Sequence, residues 1–263
     1  MPALIVRMVR AAMAVVVASL VSGCLFTHRS MEPLPDETKL ELAQRGLSLG
    51  ARVFVRIFKL ENQMEVWLQN AAGTYTQFRT YPICNWSGDI GPKTREGDRQ
   101  APEGFYVVST RQMNPNSKYY LSFNIGYPNA YDKAHGYTGS YLMVHGGCRS
   151  VGCYAITDDA IKELFVLARE AFTAGQRDFP VHAFPFRMTP ENLAQRAGQP
   201  WSGFWQNLKE GFDLFEATRI PPAVGIKNGR YVFFADPSQV PAEFRISAAA
   251  SDPMQAQLIS GWQ

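Results

Sequence analysis

The sequence predicts an α+β fold, rich in short strands through its first half and helical towards its C-terminus. Three observations carry this. Short runs between residues 52 and 144 have extended character, with apolar and polar residues alternating in the clearest of them. One strongly amphipathic helical pattern occupies residues 158–174, and an aromatic stripe at helical spacing follows residue 200.

The N-terminus reads as an export signal: Arg7 and Arg10, the apolar run Ala11 to Leu20, then small residues up to Cys24. That run is shorter than the ~20 apolar residues a spanning helix needs, so residues 1–23 are expected to be removed. Two Arg and no acid leave with them, so the mature chain carries 24 basic and 23 acidic side chains. A chain so nearly neutral gives no reason to expect nucleic acid. Residues 24–50, with Pro33 and Pro35, read as a tether and a short helix.

From residue 51 the elements follow in order. Val53, Val55 and Ile57 alternate with Phe54 and Arg56, a second strand runs from Met64 to Gln69, and Ala71-Ala72-Gly73 is a turn. Tyr75 to Ile83 is extended again, with Thr76, Phe78 and Thr80 assigned to one side. Between Trp86 and Glu103 the composition shifts to Gly, Pro and charge, which predicts a long surface loop of the kind that often carries function. Extended character returns at Phe105 to Ser109, Tyr120 to Phe123 and Tyr141 to Val144. In the helix that follows, Ile161, Leu164, Phe165, Ala168, Ala171 and Phe172 share a face. Thr157 caps its start, Gly175 ends it, and Asp158 and Asp159 favour its dipole. Helical patterns recur at 190–197 and 201–217, where Trp201, Phe204, Trp205, Leu208, Phe212 and Phe215 form a stripe read as a packing face. Residues 51–188 are thus expected to be one domain, 189–234 a helical extension, and 235–263 a disordered tail.

The chemistry concentrates in Met143-Val-His-Gly-Gly-Cys-Arg-Ser-Val-Gly-Cys-Tyr154, which joins a strand end, one His, two Cys and three Gly. A catalytic thiol needs a base within reach and backbone amides turned towards the developing oxyanion. His145 can be the base for Cys153. Gly152 allows the sharp turn that exposes the sulfur, with Ser150 and Tyr154 flanking the oxyanion loop. Cys148 could pair with Cys153 or with Cys84, or Cys84 and Cys148 could be two buried thiols, and spacing alone leaves these open. His145, Cys148 and Cys153, with His135 as a fourth ligand, would fit no common zinc spacing, so no metal and no cofactor are expected. His135 could line a cleft or brace its own loop. Lys93, Arg95 and Arg149 are candidate carboxylate-binding residues.

The run His145-Gly146 with Ser150-Val151-Gly152-Cys153 resembles the L,D-transpeptidase catalytic domain, also called the YkuD-type domain. The short His-to-Cys spacing, and Tyr154 after the Cys, are similar to its YafK-like subgroup of murein L,D-transpeptidase/amidase lipoproteins. Further similarity lies in Ala101-Pro-Glu-Gly-Phe105, Gly126-Tyr-Pro-Asn-Ala-Tyr-Asp132, Phe184-Pro-Phe-Arg-Met188 and Phe204-Trp-Gln-Asn-Leu208. The resemblance implies a YkuD-type β-sandwich with the Cys on a loop at one end, and the Gly146 carbonyl orienting the His145 ring. It implies that Cys153 forms a thioacyl intermediate with the position-three diamino acid of a peptidoglycan stem peptide and passes it to an amine. The alternative is hydrolysis of the same intermediate, an amidase that frees a murein-bound lipoprotein; a second is peptidoglycan binding without turnover. Val21-Ser22-Gly23-Cys24 resembles a lipobox, which implies a lipid on Cys24, membrane attachment and a periplasmic setting.

Overall fold

The alternation at Val53–Phe58 (β1) separates two sets of side chains, and the computed structural model, which describes residues 28–236 and Pro241, buries both. Val53, Val55 and Ile57 enter the main core, while Phe54 and Phe58 enter two others with Arg56 buried between them. A strand buried on both faces belongs inside a covered sheet. β1 is the centre of five strands: it pairs antiparallel with Gln63–Gln69 (β2), which pairs with Tyr75–Pro82 (β3). On its other side lie Asp178–Phe184 (β9), parallel to it, and then Gly104–Ser109 (β4).

Two details depart from expectation. The β2–β3 register slips between Val66 and Trp67, leaving Phe78 outside the paired positions. Tyr75, Phe78 and Tyr81 are therefore the buried residues of β3, and Phe78 does not share a face with Thr76 and Thr80. The strand β9 was not expected from the sequence: Asp178, Pro180 and His182 interrupt its apolar residues, and Pro180 argues against a strand. That Pro is tolerated because the ladder to β1 starts only at Val181.

A second sheet runs Met113–Asn114 (β5), Ser122–Asn124 (β6), Met143–His145 (β7), Tyr154–Ala155 (β8) in spatial order. Its Phe123, Val144 and Tyr154 share the main core with β1, β9 and the helix Asp158–Thr173 (α3). Thr157 caps α3 by accepting the Ala160 N–H. A short helix Asp36–Gln44 (α1) puts Leu42 into the same core, and Ala130–Ala134 (α2) is a single turn after β6.

The opposite face of the large sheet is covered by Ser202–Thr218 (α5), which follows the one-turn helix Pro190–Ala194 (α4). Trp205, Leu208 and Phe215 are buried there, so the aromatic stripe is packing. The region after α5 is not helical. Ala223–Lys227 (β10) and Arg230–Phe234 (β11) form a hairpin whose turn, Asn228-Gly229, has φ of 52° and 70°. Both turn residues need positive φ in this turn type, and Asn-Gly is its usual sequence.

The chain divides into residues 1–32 and 33–263 as compact units, and the sheets lie wholly in the second. Of the first, only the turn Arg29–Met31 and its flanks are described. The expected signal peptide, the Cys24 lipidation site and the tail beyond Pro241 lie outside the described residues. Among the described residues, no helix is long and apolar enough to cross a membrane.

Candidate active site

Parallel pairing of β7 with β8 sets the geometry of the site, with Val144 opposite Tyr154 and His145 opposite Ala155. Side chains alternate along a strand, so with Val144 and Tyr154 fully buried His145 lies on the other face of β7, and Cys153 immediately precedes Tyr154 at the start of β8. The two residues, eight positions apart in sequence, thus sit at the ends of neighbouring strands, one closing β7 and one leading into β8.

His145 is 3% exposed. Its Nδ1 lies 2.6 Å from the Gly146 carbonyl oxygen. A carbonyl only accepts, so Nδ1 carries the proton and Nε2 keeps its lone pair. Burial holds the imidazole below its usual pKa range, partly offset by the Gly146 bond. The Cys153 sulfur accepts the Met143 N–H at 3.4 Å and donates to the Tyr141 carbonyl at 3.7 Å. Burial pushes this thiol up, while the Met143 N–H and the Lys93 charge act the other way. The resting pair is therefore a neutral thiol and a neutral imidazole. Among the described residues no hydrogen bond joins them, and catalytic contacts of this kind often tighten only around substrate.

The connecting loop is braced at several points. The Gly146 N–H donates to the Tyr119 carbonyl at 3.1 Å. A Cβ at position 146 would come within 2.3 Å of the Asp158 carboxylate and 2.9 Å of the Tyr119 backbone carbonyl, so something must shift to admit a side chain there. At Gly152 φ is +113°, a conformation other residues rarely adopt. Ser150 Oγ donates to the Cys153 carbonyl at 2.6 Å, and the buried Tyr154 hydroxyl donates to the Pro102 carbonyl at 2.5 Å. Both side chains are thus committed to holding the loop.

The open question of cysteine pairing has a definite answer: Cys84 and Cys148 form a disulfide, and Cys153 is free. The Cys84 N–H also donates to the carbonyl of Ala155 in β8 at 2.9 Å. The disulfide ties the middle of the loop to the segment that follows β3. Among the described residues, no group of three or more His, Cys, Asp or Glu is placed to hold a metal ion.

The candidate substrate-binding residues separate. Lys93 is buried, its ammonium donating to Asp98 and to the Arg95 carbonyl, and its charge acts on the Cys153 thiol. The acidic neighbour five residues on, combined with burial of the loop, takes the cation away from solvent. Arg95 and Arg149 are exposed. His135 ends α2, with Nδ1 2.9 Å from the Tyr131 carbonyl and its ring stacked on Tyr131 at 4.1 Å, an arrangement that braces its own loop.

The sequence pattern missed three apolar residues beside the site: Tyr119, Tyr141 and Val151, which are 45%, 43% and 73% exposed. Tyr119 stacks on His145, Tyr141 offers its carbonyl to the thiol, and Val151 precedes Cys153 by two positions. Cavities of about 470 and 420 Å³ lie elsewhere and are lined by neither His145 nor Cys153.

Comparison with known proteins gives a consistent family. The model of the L,D-transpeptidase catalytic domain, YkuD, matches residues 54–182. A protein of Escherichia coli strain K12, named "Putative L,D-transpeptidase YafK", is 44% identical over 211 residues, covering 80% of this chain and 83% of its own. Among solved structures, the helical cell shape determining protein Pgp2 of Campylobacter jejuni aligns with a TM-score of 0.41 at 19% identity, over 68% of this chain and 64% of that one. Bd1075 of Bdellovibrio bacteriovorus aligns at 0.36 and 18% identity, over 68% and 78%.

Proposed function

The chain belongs to the L,D-transpeptidase catalytic-domain family, and from that premise we propose that it is a peptidoglycan-remodelling cysteine enzyme with Cys153 as nucleophile and His145 as general base. The observation that supports this is a free thiol immediately before β8, the strand paired with β7, whose last residue His145 has its Nδ1 proton held by the Gly146 carbonyl. His145 Nε2 takes the thiol proton as sulfur attacks the carbonyl of the position-three diamino acid. The tetrahedral intermediate collapses when the imidazolium returns that proton to the departing amine, leaving a thioacyl-enzyme. An incoming amine then attacks, gives a proton to His145 and takes the acyl group, and the thiol is restored. Positioned proton transfer typically contributes about 10² to 10⁴ in rate. Loop amides around Gly152 and Cys153 would carry the oxyanion.

In this reading residues 51–188 form the catalytic domain and residues 189–234 the extension behind it. Removal of residues 1–23 and a lipid on Cys24 hold the enzyme at the cell envelope, facing its peptidoglycan substrate. Defined muropeptides, with and without an attached lipoprotein C-terminal fragment, are incubated with wild type and Cys153→Ala, and products are followed by mass spectrometry. New cross-links that depend on Cys153 are the expected result. Released fragment in their place would make the enzyme an amidase, and identical products from both proteins would leave a binding role.

A further inference from the structure

We propose that Tyr119 is the positioning residue for His145, its ring holding the imidazole in the orientation that the reaction proposed above requires. The inference rests on that reading for its catalytic meaning and on independent geometry for its existence. The two ring centroids lie 4.7 Å apart with planes inclined by 26°, a stack and not an edge contact. Tyr119 is 45% exposed while the imidazole beneath it is 3% exposed, so the phenol ring is part of what separates His145 from water.

The same residue also supports the ring through the backbone. The Tyr119 carbonyl accepts the Gly146 N–H at 3.1 Å, and the Gly146 carbonyl accepts the His145 Nδ1 proton at 2.6 Å. One residue thus fixes the imidazole from above, by stacking, and from the side, through the peptide unit that selects its tautomer. The chain leaves room for this: a Cβ at Gly146 would meet the Tyr119 carbonyl at 2.9 Å, and one at Gly147 would meet the Tyr119 ring at 3.2 Å. The Tyr119 N–H is in turn held by Ser117 Oγ at 3.1 Å. Among the described residues, the titratable and charged groups near this end of β7 include Tyr119 itself, Cys153 from the loop before β8, Lys93, whose charge acts on that thiol, and Asp158 from the first turn of α3, which faces Gly146.

The full chain in detergent micelles is made as wild type, Tyr119→Phe, Tyr119→Leu and Tyr119→Ala. The His145 ring is titrated by NMR, its signal assigned with His145→Gln. Muropeptide turnover is measured across pH on the same proteins. Tyr119→Phe is expected to titrate and turn over as wild type. In Tyr119→Ala, water reaches the ring, so His145 titrates at higher pH and the acid limb of the rate profile moves the same way; kcat falls about tenfold or more with KM little changed. Tyr119→Leu, which keeps apolar cover without a flat ring, is expected between the two and replaces Tyr119→Ala should that variant not fold. An unshifted His145 titration in the Leu and Ala variants, or equal loss in Tyr119→Phe, overturns the proposal. If wild type and Cys153→Ala give the same products, the enzymatic reading fails on its own, and the NMR titration still decides whether Tyr119 holds His145.

Discussion

Gly146 accepts the Nδ1 proton of His145 through its carbonyl while its Cα faces the Asp158 carboxylate so closely that something must shift to admit a side chain. A single glycine therefore sets the tautomer of the imidazole and the approach of α3 to the loop. Gly146→Ala is expected to force α3 and the loop apart, costing about 1–3 kcal/mol of stability as overpacking does, and to reduce turnover by more than the stability loss explains. Urea denaturation and muropeptide turnover, measured on the same protein, check the two effects.

The disulfide spans 64 positions between Cys84 and Cys148. On the chain-entropy model a loop of that length contributes about 4 kcal/mol, an upper figure. Cys84→Ser/Cys148→Ser is expected to unfold at lower denaturant. A thiol count on protein lacking residues 1–24 should rise from one to three on reduction under denaturing conditions.

Lys59 and Glu103 form an ion pair at 2.9 Å with both side chains fully buried, and the ammonium also donates to the carbonyls of Asp89, Gly91 and Ala101. The pair ties the long 86–103 loop to β1 and, through the Trp205 N–H on Glu103, to α5. Lys59→Met leaves a buried carboxylate unpaired and should cost about 3–5 kcal/mol, whereas Lys59→Met/Glu103→Gln should cost less than the sum of its parts. A double-mutant cycle by chemical denaturation measures the coupling.

Asp132 lies against Tyr106 and Asn129, and burial pushes its carboxyl up to about 7. An acid held protonated in the native state and released in the unfolded one makes the native state bind more protons between the two pKa values. Its contribution to stability therefore falls as pH rises from about 4 to about 7, and is level above that, by on the order of 4 kcal/mol at most. Asp132→Asn removes this slope: the stability of the variant relative to wild type should grow across that window and then stay constant. Denaturation midpoints at a series of pH values read the difference directly.

What could be read in the sequence, and what could not, follows from the range of the interactions involved. β1 and α3 were legible because their patterns are local: alternation in Val53–Phe58, and a threonine cap with a helical apolar face after it. β9 was not, since Asp178, Pro180 and His182 interrupt its apolar residues and Pro180 argues against a strand. The β10–β11 hairpin had a local signal in Asn228-Gly229 that the aromatic helix before it obscured. At the site, the His-Gly and Ser-x-Gly-Cys run lies within twelve residues and stood out. Tyr119 did not, because it meets His145 across 26 positions and only the fold brings them together. The burial of Lys93 and the choice of Cys84 as the partner of Cys148 are likewise tertiary facts.

The central claim is that Cys153 carries the acyl group, and the most direct test is to trap it there. Wild type and Cys153→Ala are mixed with a defined stem-peptide substrate, quenched in acid within the first turnover, and examined by intact mass and peptide mapping. The expected result is an added mass equal to the stem peptide less its departing residue, mapped to Cys153 and absent from the variant. An adduct on another residue, or full turnover by Cys153→Ala, would contradict the account.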